Sequence, residues 1–484
     1  MYRIVSILIT MIVISSAAGA ALPNIVIVMP DDVGYGDFSC LGNPVIKTPN
    51  IDALHAQSVR FLDFHVSPTC APTRAALMTG RHEFKSGVTH TINERERLSL
   101  KATTLPQLLK TAGYTTGIFG KWHLGDEDAY QPGKRGFDEA FIHGAGGIGQ
   151  TYPGSCGDAP GNTYFDPAIL HNGIFEKTKG YCTDVFFSEA LSWMDAKRKG
   201  RQPFFAYITP NAAHAPLQVR KEDADRYRGK VPEDVAKFYG MIANIDDNVG
   251  LLAAKLKDWG LEENTLLIFL TDNGGTVGVP IFNAGMRGAK VTPYQGGTRV
   301  PSFWRWPARF KGGRDVSTLT CHYDISQTLA AITGTALSGD LKQQFEGRDL
   351  GPLLDGQTPR WPDRTFITHV GRWPKGKVND FRYRACSIRD ARYSLVMNSE
   401  LYDLQLDPGE KTNIAREHPE IVNRLRAAYD AWWAGVLPRL DNEDAVGPRI
   451  NPFKERYWKQ FGGGPDAETL RKMGLGLPKT SSPS

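Results

Sequence analysis

Residues 24–29 read Asn-Ile-Val-Ile-Val-Met, an almost unbroken apolar run. A strand with one wet face alternates apolar and polar residues, whereas a continuous run fits a strand covered on both faces. Residues 115–119, 204–208 and 265–270 have the same character. Between the last two, Phe238, Ile242, Ile245, Val249, Leu252 and Leu256 recur at spacings of three and four, which puts one apolar stripe on a helix. A shorter helix is predicted over 104–112, with Leu105, Leu108 and Leu109 on one face and Gly113 ending it. Strands alternating with helices predict an α/β fold: a large, mostly parallel sheet flanked by helices.

Beyond about residue 360 the pattern changes. Residues 381–397 and 400–406 read as antiparallel strands, followed by the turn Asp407-Pro408-Gly409-Glu410. A helix then starts near Pro419, with Ile421, Val422, Leu425, Tyr429 and Trp432 on one face. The expected organisation is a leader at 1–20, the main α/β domain at 21–360, a smaller C-terminal α+β domain with an antiparallel sheet at 361–461, and a flexible Gly/Pro/Ser-rich tail at 462–484. Residues 141–182, rich in Gly, Pro and Tyr, read as a long surface insertion.

The leader has the features of a secretory signal peptide. Arg3 precedes an apolar stretch over 4–14, and Ala18-Gly19-Ala20 fits a cleavage site. A retained anchor is the competing reading, but the run is short for a span of about 20 residues. The mature chain is therefore expected to be soluble, off the membrane, and secreted or periplasmic. With 41% apolar and 23% charged residues, the 484-residue chain is not disordered. A net charge of +5, with no long Lys/Arg run, is too small to imply a nucleic-acid partner, so none is expected, and it only permits an acidic substrate. The six cysteines form no C-x-x-C pair, which argues against a zinc ribbon or redox dithiol. In an oxidising compartment Cys156 and Cys182 are candidates for a disulfide.

The chemistry lies just past the strand ends. Ligands bind outside the carboxyl ends of strands in an open parallel sheet. Asp31 and Asp32 come after the first run, Lys121 and His123 after the second, His214 after the third, and Asp272 and Asn273 after the fourth. One Asp pair is often a cap and one His often structural, but four such endings on one sheet point to a site. Asp31, Asp32, Asp272 and Asn273 are hard oxygen donors, suited to Ca²⁺ or Mg²⁺ rather than Zn²⁺. A metal beside basic side chains suits an anionic substrate with charge developing on oxygen. Separately, Pro72 and Gly80 frame a short helix that puts Cys70 at its N-terminus, where an anion is favoured; a buried structural thiol is the alternative.

Cys70-Ala71-Pro72-Thr73-Arg74, with Leu77-Met78-Thr79-Gly80-Arg81 after it, resembles the C-x-P-x-R signature of type I sulfatases, in the alkaline phosphatase superfamily. Pro30-Asp31-Asp32, Gly120-Lys121-Trp122-His123-Leu124-Gly125, Thr271-Asp272-Asn273-Gly274, Met286-Arg287-Gly288-Ala289-Lys290 and Tyr294-Gln295-Gly296-Gly297-Thr298-Arg299 resemble further family motifs, in the family's order. So does the hairpin with Glu400-Leu401-Tyr402-Asp403-Leu404. The resemblance implies that a maturation enzyme oxidises Cys70 to formylglycine, whose hydrate attacks sulfur. It places a divalent cation, Ca²⁺ with Mg²⁺ as alternative, on Asp31, Asp32, Asp272, Asn273 and residue 70. Arg74 and Lys121 orient the diol, Lys290 and His214 meet the sulfate, His214 protonates the leaving alcohol, and His123 takes the second hydroxyl's proton. The implied activity is sulfate ester hydrolysis, with a sulfated carbohydrate as the expected substrate.

Two segments depart from that pattern. After Gly136-Phe137-Asp138 the family often has another polar contact, for which His143 is the candidate here. Gly144-Ala-Gly-Gly-Ile-Gly149 fits a dinucleotide fingerprint in letters but lacks its strand–helix context, and reads as a flexible loop at the cleft rim. The mixed-charge run 93–97 reads as a solvated face, with His90, Arg95 or Arg97 contacting sugar as the alternative. Two other functions fit the motifs: a formylglycine-dependent phosphodiester or phosphonate hydrolase, or a non-catalytic sulfoglycan-binding protein if Cys70 stays unmodified.

Overall fold

The computed structural model describes residues 22–200, 202–357 and 360–472. The expected leader and residues 473–484 of the tail lie outside them. Ten strands form the main sheet: β1 (Asn24–Val28), β2 (Val59–Phe61), β3 (Thr115–Lys121), β4 (Glu139–His143), β5 (Ala168–His171), β6 (Ile174–Lys177), β7 (Phe204–Thr209), β8 (Thr265–Leu270), β9 (Ser302–Arg305) and β10 (Arg314–Val316). Their order is β10-β2-β9-β8-β1-β7-β3-β4-β5-β6. The five central strands, β8-β1-β7-β3-β4, are all parallel, and antiparallel pairs flank them on both sides.

The unbroken apolar runs are explained by this position. Ile25 and Ile27 belong to the core on one face of β1, Val26 and Val28 to the core on the other. The long helix Glu233–Asp258 covers the second face, and all six residues of its predicted stripe are buried there. On the first face lies the helix Cys70–Thr79, buried along its whole length. Among the described residues no helix is long and apolar enough to cross a membrane.

The C-terminal part carries an antiparallel sheet of Phe366–His369, Cys386–Arg389, Tyr393–Val396 and Glu400–Asp403. Helix Pro419–Val436 packs Val422, Leu425, Tyr429 and Trp433 on it. This sheet braces the segment after Lys290. Ser387 Oγ donates to Pro293 O (2.9 Å), and Gln295 N donates to the Glu410 carboxylate (2.8 Å).

Four expectations are corrected. Residues 141–182 are not a surface insertion: β5 and β6 extend the main sheet, and residues 144–148 are buried. Helix Pro452–Phe461 packs Phe453 against Phe175 of β6, so the C-terminal segment returns to the main sheet, and Ala467–Lys472 is helical where a flexible tail was expected. Cys156 and Cys182 are both free; their sulfurs face Thr91 O and Asn211 Oδ1 instead of each other. The run 93–97 is no solvated face, because Arg95, Glu96 and Arg97 are buried. Arg95 donates to Trp373 O at 2.6 Å and pairs with Glu443, while Arg97 pairs with Glu127. Both guanidinium groups are thus held by protein partners.

Candidate active site

The strands whose ends carry reactive residues are β8, β1, β7 and β3, and these are consecutive neighbours in the sheet. All four run parallel, so Asp272 and Asn273, Asp31 and Asp32, His214, and Lys121 with His123 leave the sheet along one edge. The helix Cys70–Thr79 ends against that edge with Cys70 as its first residue, and Cys70 is buried.

Each aspartate there is matched to one cation. Arg74 donates to Asp272 Oδ2 through Nη2 (2.8 Å) and Nε (3.2 Å), and its Nη1 reaches Lys121 O (2.8 Å). Lys121 Nζ pairs with Asp31, and Lys290 Nζ with Asp32. Asn273 Nδ2 also donates to Asp32 Oδ1 (3.2 Å). The local field is set by these pairs. Burial pushes Asp31 up to about 6 against the pull of Lys121, and pushes Asp272 up to about 6 with help from Asp31. At Asp32 burial is overcome by Lys290 and His214, which hold its carboxyl well below the usual range. Burial would also raise the Cys70 thiol, but Lys121 and Lys290 outweigh it and lower it.

The two histidines have fixed tautomers. His123 Nε2 is 2.7 Å from Thr91 O, an acceptor only, so Nε2 carries the proton. Its Nδ1 is then the lone-pair nitrogen, 3.5 Å from Cys70 Sγ. Burial, reinforced by Lys121, keeps this ring neutral. His214 donates from Nδ1 to Ala215 O (2.8 Å) and turns Nε2 toward Asp32 Oδ2 (3.7 Å). Burial lowers His214 too, with Asp32 opposing and Lys290 assisting.

The glycine run 144–149 forms a wall of this site rather than a flexible rim. A Cβ on Gly147 would stand 2.6 Å from His214 Nδ1, and one on Gly146 would stand 3.2 Å from His123 Cε1. Bare backbone is what lets this loop pass both rings.

The site suits a hard cation. Asp31 Oδ1 and Asn273 Oδ1 are buried without a hydrogen-bond partner, which is costly unless something positive meets them. Asp31, Asp272 and Cys70 offer atoms within 4.8 Å of one another. Carboxylate and amide oxygens are donors for Ca²⁺ or Mg²⁺.

All ten residues expected at the site thus converge on this edge. His143 does not join them through a hydrogen bond: it is buried in β4 opposite Lys121, with both ring nitrogens unpartnered. His90, by contrast, accepts from Thr91 N (2.8 Å) and Ile92 N (3.1 Å) through Nδ1. Sequence reasoning missed Thr91 and Tyr164. Thr91 acts through its carbonyl, and Tyr164 OH lies 2.7 Å from His214 O and 2.8 Å from Asn211 O. A backbone acceptor leaves no residue-type signal. Tyr164 shows only as one aromatic in a Gly-rich stretch.

Known proteins resemble this chain in sequence and fold. The sulfatase family profile matches residues 23–335, and that of the C-terminal part of N-sulphoglucosamine sulphohydrolase matches residues 289–431. Arylsulfatase A of Homo sapiens is 32% identical over 470 residues, covering 86% of this chain and 89% of the relative. N-acetylgalactosamine-6-sulfatase of Canis lupus familiaris is 32% identical over 376 residues, covering 70% and 68%. The structure of Ps i-CgsB in complex with k-i-k-neocarrahexaose superposes with a TM-score of 0.76 at 27% identity, covering 90% of this chain and 97% of the other.

Proposed function

The chain belongs to the type I sulfatases, sulfuric ester hydrolases of the alkaline phosphatase superfamily, and on that premise we propose that it removes sulfate from a sulfated carbohydrate with a matured Cys70 as nucleophile. The carbohydrate reading is supported by a relative named N-acetylgalactosamine-6-sulfatase and by a similar structure solved in complex with k-i-k-neocarrahexaose. Maturation replaces the thiol by an aldehyde, so residue 70 loses one sulfur and two hydrogens and gains one oxygen. A separate maturation enzyme performs that oxidation in this reading. The leader supports export, which makes the mature protein secreted or periplasmic.

Asp31, Asp32, Asp272 and Asn273 would hold a divalent cation, Ca²⁺ by donor type. When bound, it supplies Lewis acidity toward the sulfate oxygens and lowers the pKa of the nucleophilic hydroxyl. The surrounding side chains have distinct tasks, with Cys70 Sγ standing in for the oxygens of the mature residue. Lys121, and Arg74 through its coupling to the same sulfur, hold positive charge beside it and favour its ionised form. Lys290, one of the least buried of the site's cations, faces the arriving sulfate and gives up its hold on Asp32 to do so. His214 carries a proton at Nε2 to the departing alcohol; the substrate's negative charge restores the proton that burial disfavours in the free site. His123 Nδ1 takes a proton from residue 70 when sulfate is expelled.

The observation that carries this reading is the contact of Cys70 Sγ with the lone-pair nitrogen of His123, amid three aspartate–cation pairs. Mass spectrometry of the Cys70 peptide, combined with turnover of nitrophenyl sulfate and a sulfated sugar, tests it. An unmodified peptide in a fully active preparation would overturn it.

A further inference from the structure

A cavity of about 620 Å³ lies beside the catalytic histidine and takes no part in the mechanism above. The segment around Thr91 separates the two: Thr91 O holds His123, while its neighbours His90, Asn93 and Glu94 line the cavity. The glycine-rich loop is shared as well. Gly146 and Gly147 border His123 and His214, and Pro153 and Gly154 border the cavity.

The walls offer donors. Among the described residues, Arg372 uses only Nη2 of its side-chain nitrogens, on Thr91 Oγ1 at 3.0 Å. His90 Nδ1 accepts two backbone N–H groups, so its proton sits on Nε2, which has no hydrogen-bond partner among the described residues. Lys375 is exposed and, among the described residues, makes one hydrogen bond, to Asp444 O at 3.4 Å, with the Glu94 carboxylate near its charge.

The acids lining the same space are engaged elsewhere. Glu443 is occupied by Arg95, Thr89 Oγ1 and the Trp373 indole. Glu94 accepts from the backbone of Gly447, with Arg97 and Lys375 beside its charge. Glu94 and Arg372 both hold left-handed backbone, at φ 59°, which ordinary residues adopt only where the surroundings enforce it. A concave space with unspent donors, spent acceptors and constrained walls fits an anionic oxygen group.

We propose that this cavity is a second anion subsite, which takes a sulfate on the sugar next to the one being desulfated. The inference rests on the sulfated-carbohydrate reading above and narrows it to oligosaccharides bearing at least two sulfates.

The test compares kcat/KM for two size-matched tetrasaccharides, one with a single sulfate and one with a second sulfate on the adjacent sugar. Their ratio is the readout, so a general loss of folded or matured enzyme cancels. Wild type should favour the disulfated sugar by about 10-fold or more, the scale of a hydrogen bond to a charged group. Lys375→Glu, on an exposed side chain, and Arg372→Gln should each remove most of that preference through KM. A wild-type ratio near one, or a ratio unmoved in both variants, would overturn the subsite. An equal gain from a tetrasaccharide carrying a uronate in place of the second sulfate would overturn the choice of sulfate. Nitrophenyl sulfate reports separately on the parent reading. If wild type fails to turn it over or to cleave either sugar, that reading fails; if it turns over but the ratio is one, only the subsite does.

Discussion

Cys70 meets His123 at the one imidazole nitrogen that carries no proton: Sγ stands 3.5 Å from Nδ1, while Nε2 donates to a backbone carbonyl at 2.7 Å. The ring is therefore an acceptor toward residue 70 before any substrate arrives. Its neutral state is enforced by burial and by Lys121, so the base needs no deprotonation step of its own.

Cys70→Ala and Cys70→Ser should both lose multiple turnover by about 10³-fold or more while remaining folded. Serine supplies one hydroxyl where a hydrated aldehyde supplies two, so at best it would trap a sulfated enzyme. The site is buried but the side chain is small, and stability should change by no more than about 1–2 kcal/mol. Purified Cys70→Ala protein with full steady-state activity would contradict the assignment.

Chelation should abolish activity, and Ca²⁺ or Mg²⁺ should restore it better than Zn²⁺. Binding should also stabilise the fold, by about 2.7 kcal/mol at a hundredfold excess over Kd. Asp32→Ala should weaken metal binding and leave Lys290 without its carboxylate, beside Lys121 and Arg74. Thermal melts with and without chelator, run alongside turnover, check this. A metal-free preparation with the same Tm and rate would refute it.

The parallel core was legible because β1, β7 and β8 are buried on both faces and so carry no polar interruptions. The polar residues of the site were legible for a related reason: polar residues directly after such strands have few structural explanations. What escaped notice was set by contacts that composition does not encode. The glycines at 144–149 look flexible in sequence, yet their lack of side chains is what fits them against His123 and His214. The charges at 93–97 look solvated, yet Trp373 O and Glu443, some 280 and 350 positions away, give Arg95 partners inside the protein. Spacing gave no hint of either partner.

Glu96 gives a pH-dependent stability. It is fully buried, and burial, opposed more weakly by its own backbone N–H, Ser155 and Arg97, pushes it from its ordinary 4.5 up to about 7. The folded state therefore holds this proton more tightly than the unfolded chain. The resulting stabilisation is full below pH 4.5 and is lost as the pH rises through about 7. Its size is on the order of 3 kcal/mol. Glu96→Gln should be more stable relative to wild type at pH 8 than at pH 5, by about 1–3 kcal/mol in denaturant unfolding. A difference that does not change with pH would show that Glu96 keeps an ordinary pKa.

The last prediction separates departure of the alcohol from release of sulfate. His214 can carry its mobile proton only at Nε2, because Nδ1 is committed to Ala215 O. An alkoxide leaving from a sugar needs that proton, whereas the phenolate from an activated aryl sulfate does not. His214→Ala should therefore slow a sugar sulfate more than nitrophenyl sulfate, with a gap approaching the roughly 10²- to 10⁴-fold worth of a general acid. Gly147→Ala should show a weaker form of the same selectivity, since its new Cβ would stand 2.6 Å from His214 Nδ1 and push the ring off its carbonyl. His123→Ala should instead slow both substrates alike and accumulate sulfated enzyme, because the step it serves comes after the alcohol has gone. Rate measurements across a series of aryl leaving groups, with intact-mass detection of the sulfated enzyme, distinguish the cases. Equal damage to sugar and aryl sulfates by His214→Ala would show that the two histidines have been given each other's roles.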